Sequence, residues 1–517
     1  MTTLEQIIKR FIYDYPNEED SERIECIETR ENLFKGNYSK EFLEDYIQRL
    51  CSAGVTYSEM IGEKKMVHHS PNSLTGRKKV EAMLRSYNLV KPICNIKNRF
   101  TFGKDLKISD VENDLWLNGE ENSIEDGFID RSKFYTEIYK AGLGGQYRGD
   151  SVIYLWRNEE GLAQLSVKSA KYWVAVPMQE DKNKVLANCI VEEFAKNKDD
   201  KTNAKDIVYK ITASIPGETY YFAIKKSEGK NEIIEWDNEL LGELENVTEV
   251  LALTGVKLEI TGLNYPVIFR VPNIPLDDSI YGTTDFDETV ISQLREIFIR
   301  MSQNGRIADK NTDPLLTGPL PMVSETENGQ TIIETSSKYL ARDKEDVEPK
   351  YIEFGGNMLD KSNEIIKQAI ECIYGMCGVN AAALGATQEG LSALTGTAIE
   401  KVYATPIAEG NRQWQLWHPI LKDILKCAYQ METGQDTLMP SISRESGLPK
   451  TDKERIEVAL LENGNKAIKS QKTSIIESGK TEEQAITEIE QILEENKAEA
   501  NSLSGDLQFG EGEGDEE

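Results

Sequence analysis

Tyr265-Pro266-Val267-Ile268-Phe269-Arg270-Val271-Pro272-Asn273 is a short apolar run closed by a proline turn, and the order of segments after it decides how the chain is read. A helical segment comes next, at about 284–304. Then come an insert at 306–356, a second helical segment at about 358–379, and a small-residue loop at 380–396. A long helical run interrupted by proline, 397–431, closes the stretch. No catalytic signature lies inside it. The order helix, strand-rich insert, helix, loop, kinked helix suits a mechanical part better than an enzyme pocket.

The insert carries Pro314, Pro319, Pro321 and Pro349, with Gly318 and Gly329. Thr331-Ile332-Ile333-Glu334-Thr335 and Lys350-Tyr351-Ile352-Glu353-Phe354 are its strand candidates. Bare connections above roughly 15 residues are uncommon in compact domains, so the insert reads as a small sub-domain held at the ends of two neighbouring helices. On the first of those helices Phe286, Val290, Leu294, Ile297, Phe298 and Met301 form an apolar face, which is expected to need a lateral neighbour to cover it.

Working outward, residues 1–100 read as helical. Ile7, Ile8, Phe11 and Ile12 share one helical face, as do Phe42, Tyr46 and Leu50. A third helix is expected at 78–88, with Pro92 interrupting the segment after it. Asn98-Arg99-Phe100-Thr101-Phe102-Gly103 looks strand-like, and 110–141 returns to helix with Phe128, Phe134, Tyr135, Ile138 and Tyr139 as its stripe. From Gly142 to about Pro272 the chain reads as a largely antiparallel strand domain. Its runs include 151–156, 172–176, 190–191, 207–209 and 219–224, with polar turns such as 179–183 between them. After Met431 the pattern is helical at 453–463, 470–477 and 481–498, and Thr481-Glu482-Glu483-Gln484 offers a helix start. The tail 501–517, rich in Gly, Ser and acids, is expected to be disordered.

Length and charge bound the possibilities. A chain of 517 residues is too long for one core, so two to four domains are expected. Its 89 acids against 60 bases leave a formal net charge of −29. Broad phosphate-gripping surfaces are built from Lys and Arg, so an acidic chain is a poor candidate for one. The plain meaning of the charge is solubility; an acidic surface could also face DNA where sliding is wanted. The seven cysteines are scattered without a CxxC pair, and Cys372 and Cys377 lack a metal-ligand spacing. Reduced thiols in a cytosolic setting are expected. The first fifteen residues lack the parts of a cleavable leader, and no window approaches the length and apolarity of a membrane span.

Candidate motifs fail on context. Gly142-Leu143-Gly144-Gly145-Gln146-Tyr147 lacks the third glycine of a dinucleotide fingerprint and precedes a strand, so it reads as a loop. Gly479-Lys480-Thr481 resembles the end of a P-loop, but Ser474 stands where its first glycine is needed. His68-His69 and His418 have no partner at ligand spacing and read as surface residues. No GxSxG, HExxH or EF-hand loop occurs. Asp277, Asp278, Asp285, Asp287 and Glu288 could suggest a two-metal site, although acids before a helix more often cap it.

The loop 380–396 contains Ala383, Leu384, Gly385, Thr387, Gln388, Glu389, Gly390, Leu391 and Ser392, and Glu389 is its only charge. Without Lys or Arg it cannot make strong phosphate contacts. A plain surface loop is the simple reading. A loop that passes close to a moving polyanion without sticking would have the same composition. The helical run after it would span roughly 50 Å at about 1.5 Å per residue. Pro406 is expected in its interior as a kink, with Pro419 as a second bend. Trp414, Trp417, Ile420, Leu421 and Ile424 read as core packing.

These pieces, in this order, resemble the portal proteins of tailed (long-tailed) bacteriophages, over about 38–495. The turn 266–273 and the helix after it look like the approach to a first stem helix. Ser392-Ala393-Leu394-Thr395-Gly396-Thr397-Ala398 resembles the small-residue stretch that opens the family's long kinked helix. Ile468-Lys469-Ser470 and Thr473, before an acid-rich helix, resemble its C-terminal region.

The resemblance implies an α+β, portal-like multidomain ring subunit with a helical stem, strand-rich wing, small α/β clip and helical crown. Its parts would be 1–141 and 142–283 (wing), 284–305 (first stem helix), 306–356 (clip) and 357–379 (second stem helix). The tunnel loop 380–396 would come next, then a long kinked helix with wing return at 397–450, a crown at 451–500 and a disordered acidic tail at 501–517. Pro314, Pro319, Pro321, Ile332 and Tyr351 would face clip partners. The implied function is a ring, usually of twelve subunits, at one capsid vertex. DNA would be packaged and ejected through it, without cofactor, metal, membrane or an ATPase of its own. Implied partners are the terminase large subunit, a head–tail adaptor, major capsid and scaffolding proteins, and double-stranded DNA passing non-specifically. Its place would be the virion, and the host cytoplasm during assembly. The alternatives are a metal-dependent nuclease or hydrolase built on the acids 277–288, and another capsid or tail structural protein.

Overall fold

The first two helices each begin on a capping side chain. In α1 (Thr3–Tyr13) the Thr2 hydroxyl accepts from the Glu5 N–H while the Glu5 carboxylate accepts from the Thr2 N–H. Asn17 and Asp20 make the same reciprocal pair at α2 (Glu18–Lys35), which ends at Gly36 in the left-handed region. The computed structural model describes residues 2–61, 65–103, 106–119, 127–195, 207–226, 231–244, 247–251, 255–312, 315–319, 323–325, 331–333, 339–342, 350–352, 357–384, 403–444, 486–487 and 489–491. The chain divides into two compact units, 1–389 with 402–447, and 390–401 with 448–517. In the second, the described residues 486–487 and 489–491 are helical. The expected helices 453–463 and 470–477 and the tail lie outside the described residues, as does most of 481–498.

After α3 (Tyr38–Ser52) a hairpin of β1 (Tyr57–Ile61) and β2 (Lys65–His69) precedes α4 (Leu74–Ala82). The expected helix at 78–88 therefore starts earlier, where the Ser73 hydroxyl accepts from the Gly76 N–H, and it ends at Met83. Pro92 does not interrupt α5 (Val90–Phe102). It sits in the first turn, where a backbone N–H has no intrahelical partner to lose. The strand-like residues 98–102 are the last turns of this helix. Asn98, Phe100, Thr101 and Phe102 are buried in it, and Gly103 ends it with φ 72°. Burial against neighbours overrides their β preference.

The stretch 110–141 is broken rather than continuous. β3 (Leu106–Ser109) is followed by α6 (Asp114–Asn118), α7 (Phe128–Arg131) and α8 (Phe134–Arg148). Phe128, Phe134 and Ile138 are buried, whereas Tyr135 and Tyr139 are exposed. The glycine run at 142–145 belongs to α8 and is not a loop. A Cβ on Gly142 would overlap the Phe102 ring, and one on Gly145 would overlap the Ser151 hydroxyl. Their lack of side chains lets α8 lie tightly against α5 and the next strand.

That strand, β4 (Asp150–Arg157), pairs antiparallel with β5 (Ala163–Lys168) and β13 (Ile268–Pro272). Between them run β6 (Trp173–Pro177), β7 (Val185–Ala195), β8 (Ile207–Ile215), β9 (Glu218–Lys225), β10 (Glu232–Ile234), a short α9 (Asn238–Leu241), β11 (Glu249–Leu251) and β12 (Val256–Ile260). These strands form a seven-stranded antiparallel sheet in the order β11-β12-β9-β8-β7-β6, with β10 also on β9. The antiparallel strands expected from the sequence are present, beginning at Asp150 after α8. One face of the sheet buries Val174, Cys189, Ile211 and Phe222 under Ile7 and Phe11 of α1, with Phe11 edge-on to Phe222 at 5.7 Å.

The long helices are α10 (Glu288–Thr312), α11 (Asn357–Met376) and α12 (Ala404–Thr433). Between the first two lie β14 (Leu315–Pro319), β15 (Val323–Glu325), β16 (Thr331–Ile333), β17 (Tyr339–Arg342) and β18 (Lys350–Ile352). Strand β19 (Ser441–Arg444) pairs with β3. The strands expected at 331–335 and 350–354 are present over 331–333 and 350–352, their last two residues lying outside the described residues. Among the described residues of the insert, 306–312 continue α10 and the others are strands.

Pro406 is in the first turn of α12, not its interior, while Pro419 lies inside the helix. The run 397–402 falls outside the described residues. Trp417, Leu421 and Ile424 are buried, and Trp414 and Ile420 pack against the same cluster.

The apolar face of α10 does not wait for a neighbouring copy. Phe286, Val290, Leu294, Ile297 and Phe298 are buried within the chain, with Met301 partly buried beside them. They meet Phe42 and Tyr46 of α3; the Phe42 and Phe298 rings stand 5.8 Å apart. Each such side chain contributes roughly 1.5–3 kcal/mol on full burial, so α10 is anchored by its own chain.

Candidate functional site

The turn from β13 into α10 sorts the acids that lie together in the sequence. Asp287 caps α10, its carboxylate accepting from the Val290 N–H at 2.9 Å. Asp285 pairs with Lys97, whose side chain is buried on α5. The Asp277 carbonyl accepts from the Asn183 amide at 2.6 Å. Nearby, the Asp150 carboxylate accepts from Arg270 at 2.6 Å and from the Gly282 N–H at 3.0 Å. Burial pushes this carboxyl up even with the guanidinium against it. Among the described residues no group of three or more His, Cys, Asp or Glu could hold a metal ion. The metal-dependent alternative therefore finds no assembled carboxylate set there.

The same turn fastens α12. The Gln413 amide donates to the carbonyl and side-chain oxygens of Asn273, both at 2.6 Å, and Gln413 is buried. Arg412 lies beside it, paired with Glu409 at 3.0 Å.

Helices α10 and α11 meet through a polar clasp as well as apolar packing. The Asn304 amide donates to Asn363 at 3.0 Å, and the Ser362 hydroxyl donates to Asn304 at 2.9 Å. Ile366 and Ile373 face the core. Ile365, 43% exposed, and Met376, 38% exposed, lie about a quarter-turn round α11 from that pair, with exposed Cys372 between them. Helical spacing puts these three along one stripe.

The strands of the insert pair with one another. Strand β14 lies between β17, parallel, and β18, antiparallel, so Leu316 stands opposite both Tyr339 and Tyr351. Pro319 is at the end of β14, opposite Arg342. Ile332 lies on β16, opposite Ser324 of β15. Pro314 and Pro321 lie outside the described residues.

After α11 the chain turns at Gly378, φ 66°. The Val379 N–H reaches back to the Tyr374 carbonyl at 3.0 Å. Asn380 then accepts from the Ala383 N–H at 2.8 Å, and the Tyr403 hydroxyl donates to the Ala382 carbonyl at 3.3 Å. Leu384 packs against the helical core. Ala383 and Leu384 are thus the anchored foot of the loop. Gly385, Thr387, Gln388, Glu389, Gly390, Leu391 and Ser392 lie outside the described residues.

The remaining candidates scatter. His68 is exposed on β2. The His418 ring lies 5.4 Å from that of Trp414 on α12. All seven cysteines are free thiols. A feature that sequence reasoning missed is a cleft of about 560 Å³ over the polar face of the seven-stranded sheet. Its residues come from strands far apart in sequence and share no motif. No helix among the described residues is long and apolar enough to cross a membrane.

No protein-family model and no curated protein matches the sequence. Among solved structures the chain is similar to a chain of "Neck of native GTA particle computed with C12 symmetry". The identity is 10% and the TM-score 0.35, with 75% of this chain and 90% of that chain covered. This is a weak and partial structural resemblance.

Proposed function

We propose that the chain is the subunit of a closed, portal-type ring at a phage capsid vertex, a channel for DNA packaging and ejection. What supports this reading most is the pairing of α10 with α11 around an insert whose strands pair among themselves. Two clasped helices carrying a separate sheet at their ends are a stem with a docking head. In this reading 306–356 is the clip, with Pro314, Pro319, Pro321, Ile332 and Tyr351 facing a terminase or head–tail adaptor. The strand domain is the wing, and 380–396 is the tunnel loop, held at Ala383 and Leu384. With the face of α10 covered by α3, the lateral contact falls to the exposed stripe Ile365, Cys372 and Met376 of α11. The ring carries no catalytic centre of its own; packaging energy comes from the motor that docks on it. Purified chain is expected to form rings with a central hole in negative stain. Monomer alone across micromolar concentrations and modest salt overturns the proposal, as does divalent-dependent DNA cleavage abolished by Asp277→Ala with the fold intact.

A further inference from the structure

The seven-stranded sheet has two unlike faces. One is apolar and covered by α1. The cross-strand register puts Glu192, Lys210, Thr212, Thr219, Tyr221 and Glu259 on the other, which is the floor of the cleft. Tyr154 and Trp156, on one face of β4 by alternation, form a wall. The volume of about 560 Å³ is within the range of small-molecule sites.

We propose that this cleft binds a small neutral polyhydroxylated ligand, a sugar of one or two rings. Both of its lysines and two of its carboxylates are already engaged. Lys168 pairs with Glu192 at 2.7 Å, and Lys210 donates to the Leu241 carbonyl at 3.0 Å. The Tyr221 hydroxyl donates to Glu259 at 2.7 Å. A polyanion would meet Glu192, Glu243 and Glu259; a polycation would meet Arg157, Lys168 and Lys210. A neutral ligand meets neither penalty.

Hydrogen-bonding capacity remains. The Thr219 hydroxyl lines the cleft, is buried with its residue 1% exposed, and has no hydrogen-bond partner. Buried hydroxyls are nearly always paired, so this one calls for a partner that a hydroxyl-bearing ligand entering beside it would supply. Trp156 is 40% exposed and offers a ring face to the apolar side of a pyranose. Burial raises Tyr154 to about 12, so its hydroxyl keeps its proton in the wall. The site lies within one chain, so a sugar can bind it whether or not a ring forms.

The test uses the full chain with maltose, maltohexaose and N,N′-diacetylchitobiose, followed by saturation-transfer NMR and tryptophan fluorescence. Saturable binding of at least one, with Kd of about 1 mM or tighter, is expected. Trp156→Ala and Thr219→Val should each weaken it at least about fivefold. Because Trp156 is exposed, its variant should keep the wild-type melting temperature and serves if Thr219→Val fails to fold. Maltose against maltohexaose distinguishes a free sugar from a unit of a longer glycan; binding of either supports the proposal. It is overturned if none of the three binds, if binding survives both substitutions, or if inorganic phosphate or spermidine occupies the cleft instead.

Discussion

Gly410 of α12 lies against the main chain of α5: a Cβ on it would overlap the carbonyl oxygen of Phe100. The obstacle is backbone, which cannot rotate away as a side chain can. In an open helix, Gly→Ala gains roughly 1 kcal/mol from propensity. Here overpacking of about 1–3 kcal/mol opposes that gain and should exceed it. Gly410→Ala should therefore lower the urea midpoint, and Gly410→Val should lower it further. An unchanged midpoint for both would show that the two helices separate freely.

Lys97 and Asp285 join α5 to the turn before α10, with Lys97's side chain only 2% exposed. Asp285→Ala strands that ammonium and should cost about 3–5 kcal/mol. Replacing both partners, Lys97→Met with Asp285→Leu, should recover most of the loss, because no uncompensated charge remains. Thermal denaturation of the two variants side by side measures the difference.

Asp110 ties β3 to the approach to β19. Burial acts to raise its carboxyl pKa, but N–H donors of Asn113, Glu112 and Met439 outweigh it and hold the group below the usual carboxylate range. A depressed folded pKa means the unfolded chain binds the proton more readily. The stabilisation is then complete above the unfolded value and lost as pH falls through the folded one. Asp110→Ala should lower the melting temperature more at pH 7 than near pH 3, a comparison calorimetry can make. Equal losses at both pH values would place the effect in packing instead.

Ile365 and Met376 should govern assembly and leave the fold intact. Charging both, Ile365→Glu with Met376→Glu, is expected to remove about 1–2 kcal/mol from each lateral contact. Mass photometry should then show rings falling apart at concentrations where wild type stays assembled, with unchanged circular dichroism. Persistent rings would move the contact to another face.

The proposed tunnel loop predicts defects in packaging rather than assembly. Ser392→Lys adds a cation that can displace counterions from passing DNA and hold it. Gly390→Pro restricts the loop without touching the flanking helices. Both variants should form rings and retain less DNA in a packaging assay. Normal packaging by both would sink the assignment.

Local chemistry is legible where it is strongly periodic. Strands β4, β8 and β9, the buried stripe of α12 and the cap at Asp287 all come from residues a few positions apart. Pro92 and Pro406 mislead because a proline's effect depends on its distance from the helix start, which the sequence marks poorly here. Residues 98–102 and 142–145 mislead for a related reason. The first are β-prone and the second glycine-rich, yet tight packing of α5 with α8 holds both in helix.

By itself the sequence determined the acidic charge, the near-neutral composition of 380–396, the two long helices around an insert and the antiparallel strand region. Each is written in composition or in periods of 2 and 3.6 residues, which are local properties of the chain. Tertiary structure alone decided what covers these apolar faces: α3 over α10 and α1 over the sheet, with Ile365, Cys372 and Met376 of α11 left exposed. It also brought Thr219, Tyr221 and Glu259 into one cleft with Trp156. Apolar burial is non-directional, so a hydrophobic stripe states that it must be covered without naming its partner. The partner is set by the register and crossing of elements that can lie hundreds of residues apart.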